Sequence, residues 1–333
     1  MPSFHPTRPS RIRRLAVSAA LAVAASVTVV PAAAHSADGR DAPGGTDARP
    51  TIVLVHGAFS DASAWRGVVE RLRRSGYPVV APPNDLRDLS QDSAHLASFL
   101  GTVEGPVVLV GHSYGGAVIT NAAAADPDVK ALVYTAAMAL DKGESPEEME
   151  RRFPGSDLTP ASLDPVPYPL PGGGTGREFH LKPDRFRRTL VDGASARTAD
   201  VMAASQRPIA APALTGESQA AAWRTIPSWY LVPTRDRALS PAAERFMAER
   251  AGSHTVEVDA PHFAMVTHPD AVTRLILDAA TGRTAPTRPA LAKTGSTAWD
   301  PAVLGATGAA ALVTGAALVL AARGRTVRPR TGK

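Results

Sequence analysis

Two distant stretches of this 333-residue chain hold side chains that can carry out nucleophilic acyl chemistry together. In Gly111-His112-Ser113-Tyr114-Gly115-Gly116 a serine stands between glycines, in the pattern G-x-S-x-G. A serine hydroxyl is a weak nucleophile until a base takes its proton, and the base needs a carboxylate to fix its tautomer. Of nine histidines, His262 in Asp259-Ala260-Pro261-His262-Phe263 follows a β-type run, so a strand end can deliver it to the face where Ser113 emerges. The others are placed less well. His5 and His35 lie at the amino-terminal end, His56 and His112 are tied to their own turns, and His95 and His180 fall in segments of no fixed position. His254 begins a strand and His268 begins the last helix.

Asp236, in Pro233-Thr234-Arg235-Asp236-Arg237, also follows a β-type run and completes the order Ser, Asp, His. Its rival Asp259 is only three residues from His262, too near along the chain to approach the imidazole from its far side. The expected role of Asp236 is to hold the His262 tautomer and stabilise the imidazolium. An oxyanion needs two backbone N–H donors. Tyr114 supplies one, and Ala58 in His56-Gly57-Ala58-Phe59 is expected to supply the other, with the His56 side chain free to brace that loop.

These residues work only if strands and helices aim them. Six short apolar runs read as strands: 51–55, 77–81, 106–110, 130–134, 228–232 and 254–258. Continuous rather than alternating hydrophobicity implies burial on both faces, as in a parallel sheet. Helical patterns fall between them at 63–74, 92–101, 115–125, 241–251 and 269–280, with Ser240-Pro241 marking one start. The alternation implies an α/β fold, a doubly wound and mostly parallel six-stranded sheet. Ser113 then sits on a strained turn from the third strand into a helix whose N-terminus favours negative charge.

Composition excludes several functions. The chain has no cysteine, so disulfides, thiol nucleophiles and thiolate metal sites are absent. A sequence pI of about 9.8 invites a nucleic-acid reading. The ends, 1–34 and 295–333, take nine of the 36 basic and one of the 31 acidic residues, which leaves 27 and 30 between them. That body is mildly acidic, so no nucleic-acid partner is expected.

The two ends read as addresses. Arg11, Arg13 and Arg14, the apolar run Leu15–Val30 and Ala32-Ala33-Ala34 form a secretory signal peptide over 1–34, by the Sec or the twin-arginine route. At the other end come Leu291-Ala292-Lys293-Thr294-Gly295, an uncharged stretch over 302–322 long enough to span a bilayer, and an Arg-rich tail. This order resembles a Gram-positive cell-wall sorting signal of the LAxTG type used by class E sortases. The resemblance implies signal peptidase and sortase as partners, cleavage after Thr294, and a location in the cell wall or on the outer face of the plasma membrane. A plain membrane anchor through the C-terminal helix is the alternative. Residues 281–290 form a short stalk.

Over about 51–280 the motifs HGAFSDASAW (56–65), GHSYGG (111–116), the Asp236 loop and PHFAMVTHP (261–269) resemble the α/β-hydrolase superfamily, in particular its small esterase and hydroxynitrile lyase group. The resemblance implies triad roles for Ser113, Asp236 and His262, a cap inserted after the fourth strand, and no cofactor or metal. Lyases of the group carry threonine where this chain has Gly57 and lysine where it has Phe263, which favours ester hydrolysis; an aspartate-nucleophile dehalogenase is excluded by Ser113.

The cap is expected to be helical over about 139–225. Ser145-Pro146-Glu147-Glu148 is a capping box with proline at N1, further helices are expected at 183–191 and 197–206, and the Pro- and Gly-rich segment 154–176 is expected to lack regular structure. Phe59, Phe153, Tyr168, Phe186, Met202 and Trp223 are candidate walls of a substrate pocket, with packing of cap on core as the alternative role. The expectation is an exported carboxylesterase acting on a small apolar ester. A non-catalytic surface binding module on the same fold, or an amidase, lactonase or perhydrolase, are the alternatives.

Overall fold

Continuous runs of Val, Ile and Leu must be covered on both sides, and the computed structural model, which describes residues 49–284, shows this for the four central strands. The run 254–258, expected to be alike, instead alternates half-buried and exposed positions at the sheet edge. The strands are β1 (Thr51–Val55), β2 (Val79–Val80), β3 (Val107–Ser113), β4 (Val129–Ala137), β8 (Ser228–Pro233) and β9 (His254–Val258). They form one six-stranded sheet in the order β2-β1-β3-β4-β8-β9, every neighbour parallel. The order reverses between β1 and β3, where ligands of open α/β sheets bind beyond the strand ends. Ser113 ends β3 at that reversal.

Strand lengths differ from the sequence reading for local reasons. β2 has two residues instead of five because Pro78 before it and Pro82-Pro83 after it cannot donate to a ladder. β4 runs on to Ala137 because its small residues keep pairing with β3, up to Ser113 opposite Ala137.

Helices α1 (Arg66–Arg74), α2 (Leu89–Leu100), α3 (Tyr114–Ala122), α8 (Pro241–Arg250), α9 (Ala264–Thr267) and α10 (Pro269–Ala280) connect and flank the strands. α1 packs beside α10 and α2 beside α3. Asp88 caps α2 by accepting the N–H of Ser90 (3.0 Å) and Gln91 (3.1 Å). Pro241 opens α8 at N1 as expected, although Ser240 makes no side-chain cap bond.

Between β4 and β8 lies the insertion: α4 (Pro146–Arg152), β5 (Leu163–Pro169), β6 (Thr175–Leu181), α5 (Pro183–Leu190), α6 (Ala196–Ala204), β7 (Ile209–Ala210) and α7 (Ala211–Thr215). The Ser145–Glu148 capping box closes in both directions. The segment expected to be irregular instead holds an antiparallel hairpin, part of a three-stranded sheet in the order β5-β6-β7. Its prolines explain why it was hidden. Pro165, Pro167 and Pro169 fall at every second position of an edge strand, so all their missing N–H groups belong to one side of it. Gly172, Gly173 and Gly174, all at positive φ (87°, 100° and 91°), make the turn.

The expected signal peptide, the motif Leu291-Ala292-Lys293-Thr294-Gly295 and the stretch 302–322 lie outside the described residues. Among the described residues no helix is long and apolar enough to cross a membrane.

Candidate active site

The turn from β3 into α3 puts Ser113 at φ 54°, ψ −127°, a conformation that costs a non-glycine residue roughly 1–3 kcal/mol. Its neighbours hold it there by close contact. A Cβ on Gly111 would lie 2.7 Å from the carbonyl oxygen of Gly115, and one on Gly115 2.6 Å from that of Val55. Gly116 is equally confined, 2.8 Å from the Cβ of Ala137. The N–H of Met138 donates to the carbonyl of Ser113 (3.1 Å). Ser113 is the N-cap residue of α3, yet its side chain makes no capping bond, so the hydroxyl is left to the cavity it lines.

His262 and Asp236 come from the loops after β9 and β8, and both are buried. Nδ1–H of His262 donates to Oδ2 of Asp236 (2.6 Å). The other carboxylate oxygen, Oδ1, accepts the backbone N–H of Ala238 (2.7 Å) and of Leu239 (2.8 Å), which fixes the carboxylate plane. The two loops are tied together by the N–H of Arg235 donating to the carbonyl of Ala260 (3.1 Å). With Nδ1 engaged, Nε2 is the imidazole nitrogen left for chemistry, and His262 lines the same cavity as Ser113. The rival Asp259 is exposed and pairs with Arg235 (2.6 Å).

Ala58 and Tyr114 both line the cavity beside Ser113. In the 56–59 loop the Phe59 N–H is spent on the carbonyl of Arg207 (3.0 Å), so Phe59 is not a competing oxyanion donor. His56 braces this loop: Nδ1–H donates to the Gly57 carbonyl (2.9 Å) and Nε2 accepts the N–H of Asn84 (3.0 Å). Burial lowers its pKa, which suits the neutral tautomer those bonds require. The Tyr114 hydroxyl donates to Asp92 (2.7 Å). A Cβ on Gly57 would lie 2.6 Å from that of Ser113, so the threonine of the lyase pattern has no room, and Phe263 is fully buried against His112 and Phe186.

Of the six candidate pocket walls only Phe59 lines this cavity. Phe153 packs against Phe246 with its ring tilted, 5.1 Å between ring centres, and Tyr168 lies under the Arg87 guanidinium on the cap sheet. Phe186 is buried against Phe263, and the Trp223 indole N–H donates to the carbonyl of Leu140 (2.9 Å). Met202 lines a separate surface groove with Val201 and Met265. Large aromatic residues instead join cap to core, the alternative role weighed for them. The cap closes the cavity with Glu150, Leu158, Leu163, Leu190, Ile209 and Leu214. Nothing in the sequence distinguishes these leucines, because which face of a short cap helix meets the strand ends is set by how the cap docks.

Two further residues escaped the sequence reading. His112 is not confined to its own turn. Its Nε2–H donates to the His262 carbonyl 150 positions away (3.2 Å) and its ring lies 4.7 Å from the His262 ring. Burial first, and His262 second, hold its pKa well below the usual imidazole value, so it braces the His262 loop as a neutral ring. Glu244 on α8 is fully buried beside the Asp236 carboxylate. Burial first, and the nearby Asp236 carboxylate second, push its pKa well above the usual carboxylate range. The folded state therefore keeps a proton that the unfolded chain loses, and stability falls as pH rises above the unfolded value of 4.5. Glu244→Gln removes this dependence. Relative to wild type, its unfolding free energy from urea titration is expected to rise between about pH 5 and about pH 8, with a slope of up to about 1.4 kcal/mol per pH unit. Parallel curves for the two proteins would show that Glu244 does not titrate on unfolding.

With this geometry in view, comparison with known proteins is informative. The sequence profile of the alpha/beta hydrolase family matches residues 52–275. An alpha/beta hydrolase of Aspergillus novofumigatus is 27% identical over 256 residues, covering 70% of this chain and 97% of that protein. A pyrethroid hydrolase of Sphingobium wenxiniae is 31% identical over 152 residues, 42% of this chain and 54% of its own length. A carbendazim hydrolyzing esterase of a Nocardioides species is 34% identical over 135 residues, 34% of this chain and 55% of its own. Among solved structures, polyneuridine aldehyde esterase superposes with a TM-score of 0.61 at 20% identity, over 69% of this chain and 98% of that one. At such identity the likeness establishes the fold alone.

Proposed function

The chain belongs to the alpha/beta hydrolase family, and on that premise we propose that it is a serine carboxylesterase for small esters, working through an acyl-enzyme on Ser113. The observation that carries this reading is the Ser113 turn opening into one cavity with His262, whose other nitrogen is bound by Asp236. Oγ of Ser113 attacks the ester carbonyl carbon while Nε2 of His262 accepts the hydroxyl proton. The carbonyl oxygen, now an anion, is received by the N–H of Ala58 in the loop after β1 and by that of Tyr114 at the N-terminus of α3. The C–O bond to the alcohol breaks and the alcohol leaves with the proton from His262. Water then attacks the acyl-enzyme, giving its proton to His262, and the acid departs as Ser113 is restored. The esterase and pyrethroid hydrolase relatives support ester chemistry, and the apolar cavity walls support small apolar acyl or alcohol groups. A fluorophosphonate tests the nucleophile: one adduct on the Ser113 peptide is expected, and folded protein without an adduct would favour the binding-module alternative.

Export and wall display belong to the same proposal and rest on the sequence of the two ends. Intact-mass analysis of protein released from a Gram-positive host is expected to find a chain beginning at His35 and ending at Thr294. Mature surface protein that keeps the Arg-rich tail would leave the plain anchor instead.

A further inference from the structure

The walls of the Ser113 cavity are apolar on the cap side except for one carboxyl group, Glu150 in the last turn of α4. Among the described residues no cation and no hydrogen-bond donor engages it. The charges around it are committed elsewhere. On α4 Glu147 is exposed, Glu148 closes the capping box, and Arg152 lies over the Phe153 and Phe246 rings. Arg151 reaches toward Glu148 (4.0 Å). Among the described residues α7 and α8 make the main helix contacts with α4, and α7 carries no ionisable residue. On α8 Arg250 pairs with Glu144, Arg245 pairs with Glu257, Glu249 is exposed and Glu244 is buried beside Asp236. The other ionisable groups of the cavity are His262, bound to Asp236, and Tyr114, whose hydroxyl is bound to Asp92.

An unpaired carboxyl group weakens an apolar wall, because binding an apolar group leaves it desolvated with nothing in return. A ligand cation reverses that balance. We propose that Glu150 is the specificity-determining group of this cavity and receives the cationic group of an otherwise apolar ester, an alkylammonium ester being the substrate class. This inference rests on the carboxylesterase reading of the same site. Burial first, and Glu147 second, push the Glu150 pKa up to about 7. Its charge, and with it the preference for a cationic ester, therefore grows as pH rises through neutrality.

Butyrylcholine and 3,3-dimethylbutyl butyrate test this, since they share a shape and differ in a fixed positive charge. Any effect of pH on the shared hydrolytic machinery cancels between the two esters, so the ratio of their kcat/KM values isolates Glu150 in the free enzyme. In the wild type the ratio, cationic over neutral, is expected to rise about tenfold between about pH 5.5 and about pH 8.5. In Glu150→Gln it is expected to be low and flat, and being a ratio it does not depend on the folded fraction. Hydrolysis of the neutral ester with a flat wild-type ratio, or an equal rise in the variant, overturns the inference and leaves the esterase reading intact. Failure of the wild type on both esters and on p-nitrophenyl acetate overturns the reading beneath it.

Discussion

Ser113→Ala is expected to lower kcat/KM for p-nitrophenyl esters by about 10⁴-fold or more while leaving the fold in place. That loss corresponds to about 5.5 kcal/mol of transition-state stabilisation. The serine hydroxyl caps no helix end, so removing it orphans no backbone group. Alanine keeps the Cβ, and the chain is already held at φ 54° by glycine contacts and by the Met138 N–H. The variant should therefore melt near the wild type and fail to take up fluorophosphonate. Residual hydrolysis would come from the oxyanion donors, which the substitution leaves untouched. Activity within about tenfold of wild type would remove Ser113 from the mechanism.

Asp236→Asn is expected to cost about 10³- to 10⁴-fold in kcat, and the hydrogen bonds say how. The N–H groups of Ala238 and Leu239 demand an acceptor at Oδ1, so the amide oxygen of asparagine takes that position. Its NH₂ group then faces Nδ1 of His262, where the wild type has an acceptor. Nδ1 must become the acceptor, the ring proton moves to Nε2, and the base that Ser113 needs is lost. Asp259→Asn, which breaks only the exposed pair with Arg235, is expected to change kcat by less than about threefold. The reverse pattern would mean that Asp259 supplies the acid.

Local sequence carried much of the framework because its signals are local. Continuous apolar runs require a sheet covered on both faces, and a serine turn between glycines admits few geometries besides a strand entering a helix. The Ser145 capping box named its own helix end. Where distant parts of the chain decide, the sequence was silent or misleading. The cap hairpin was masked by prolines whose spacing makes sense only once β5 is known to be an edge. His112 reads as a turn residue until the chain brings His262 to it from 150 positions away.

By itself, then, the sequence determined the parallel α/β framework, the serine turn and the order of candidate acid and base, since each follows from residue type and spacing along a short stretch. The choice of Asp236 over Asp259 follows from their places along the chain, and the tertiary structure supplied its physical cause, two amide donors that fix Asp236 while Arg235 claims Asp259. Tertiary structure alone decided which cap residues face Ser113: aliphatic side chains and Glu150, with five of the six aromatic and methionine candidates placed elsewhere. Cavity walls are made by surfaces that meet across the fold, and no pattern along one segment records the face its partner will cover.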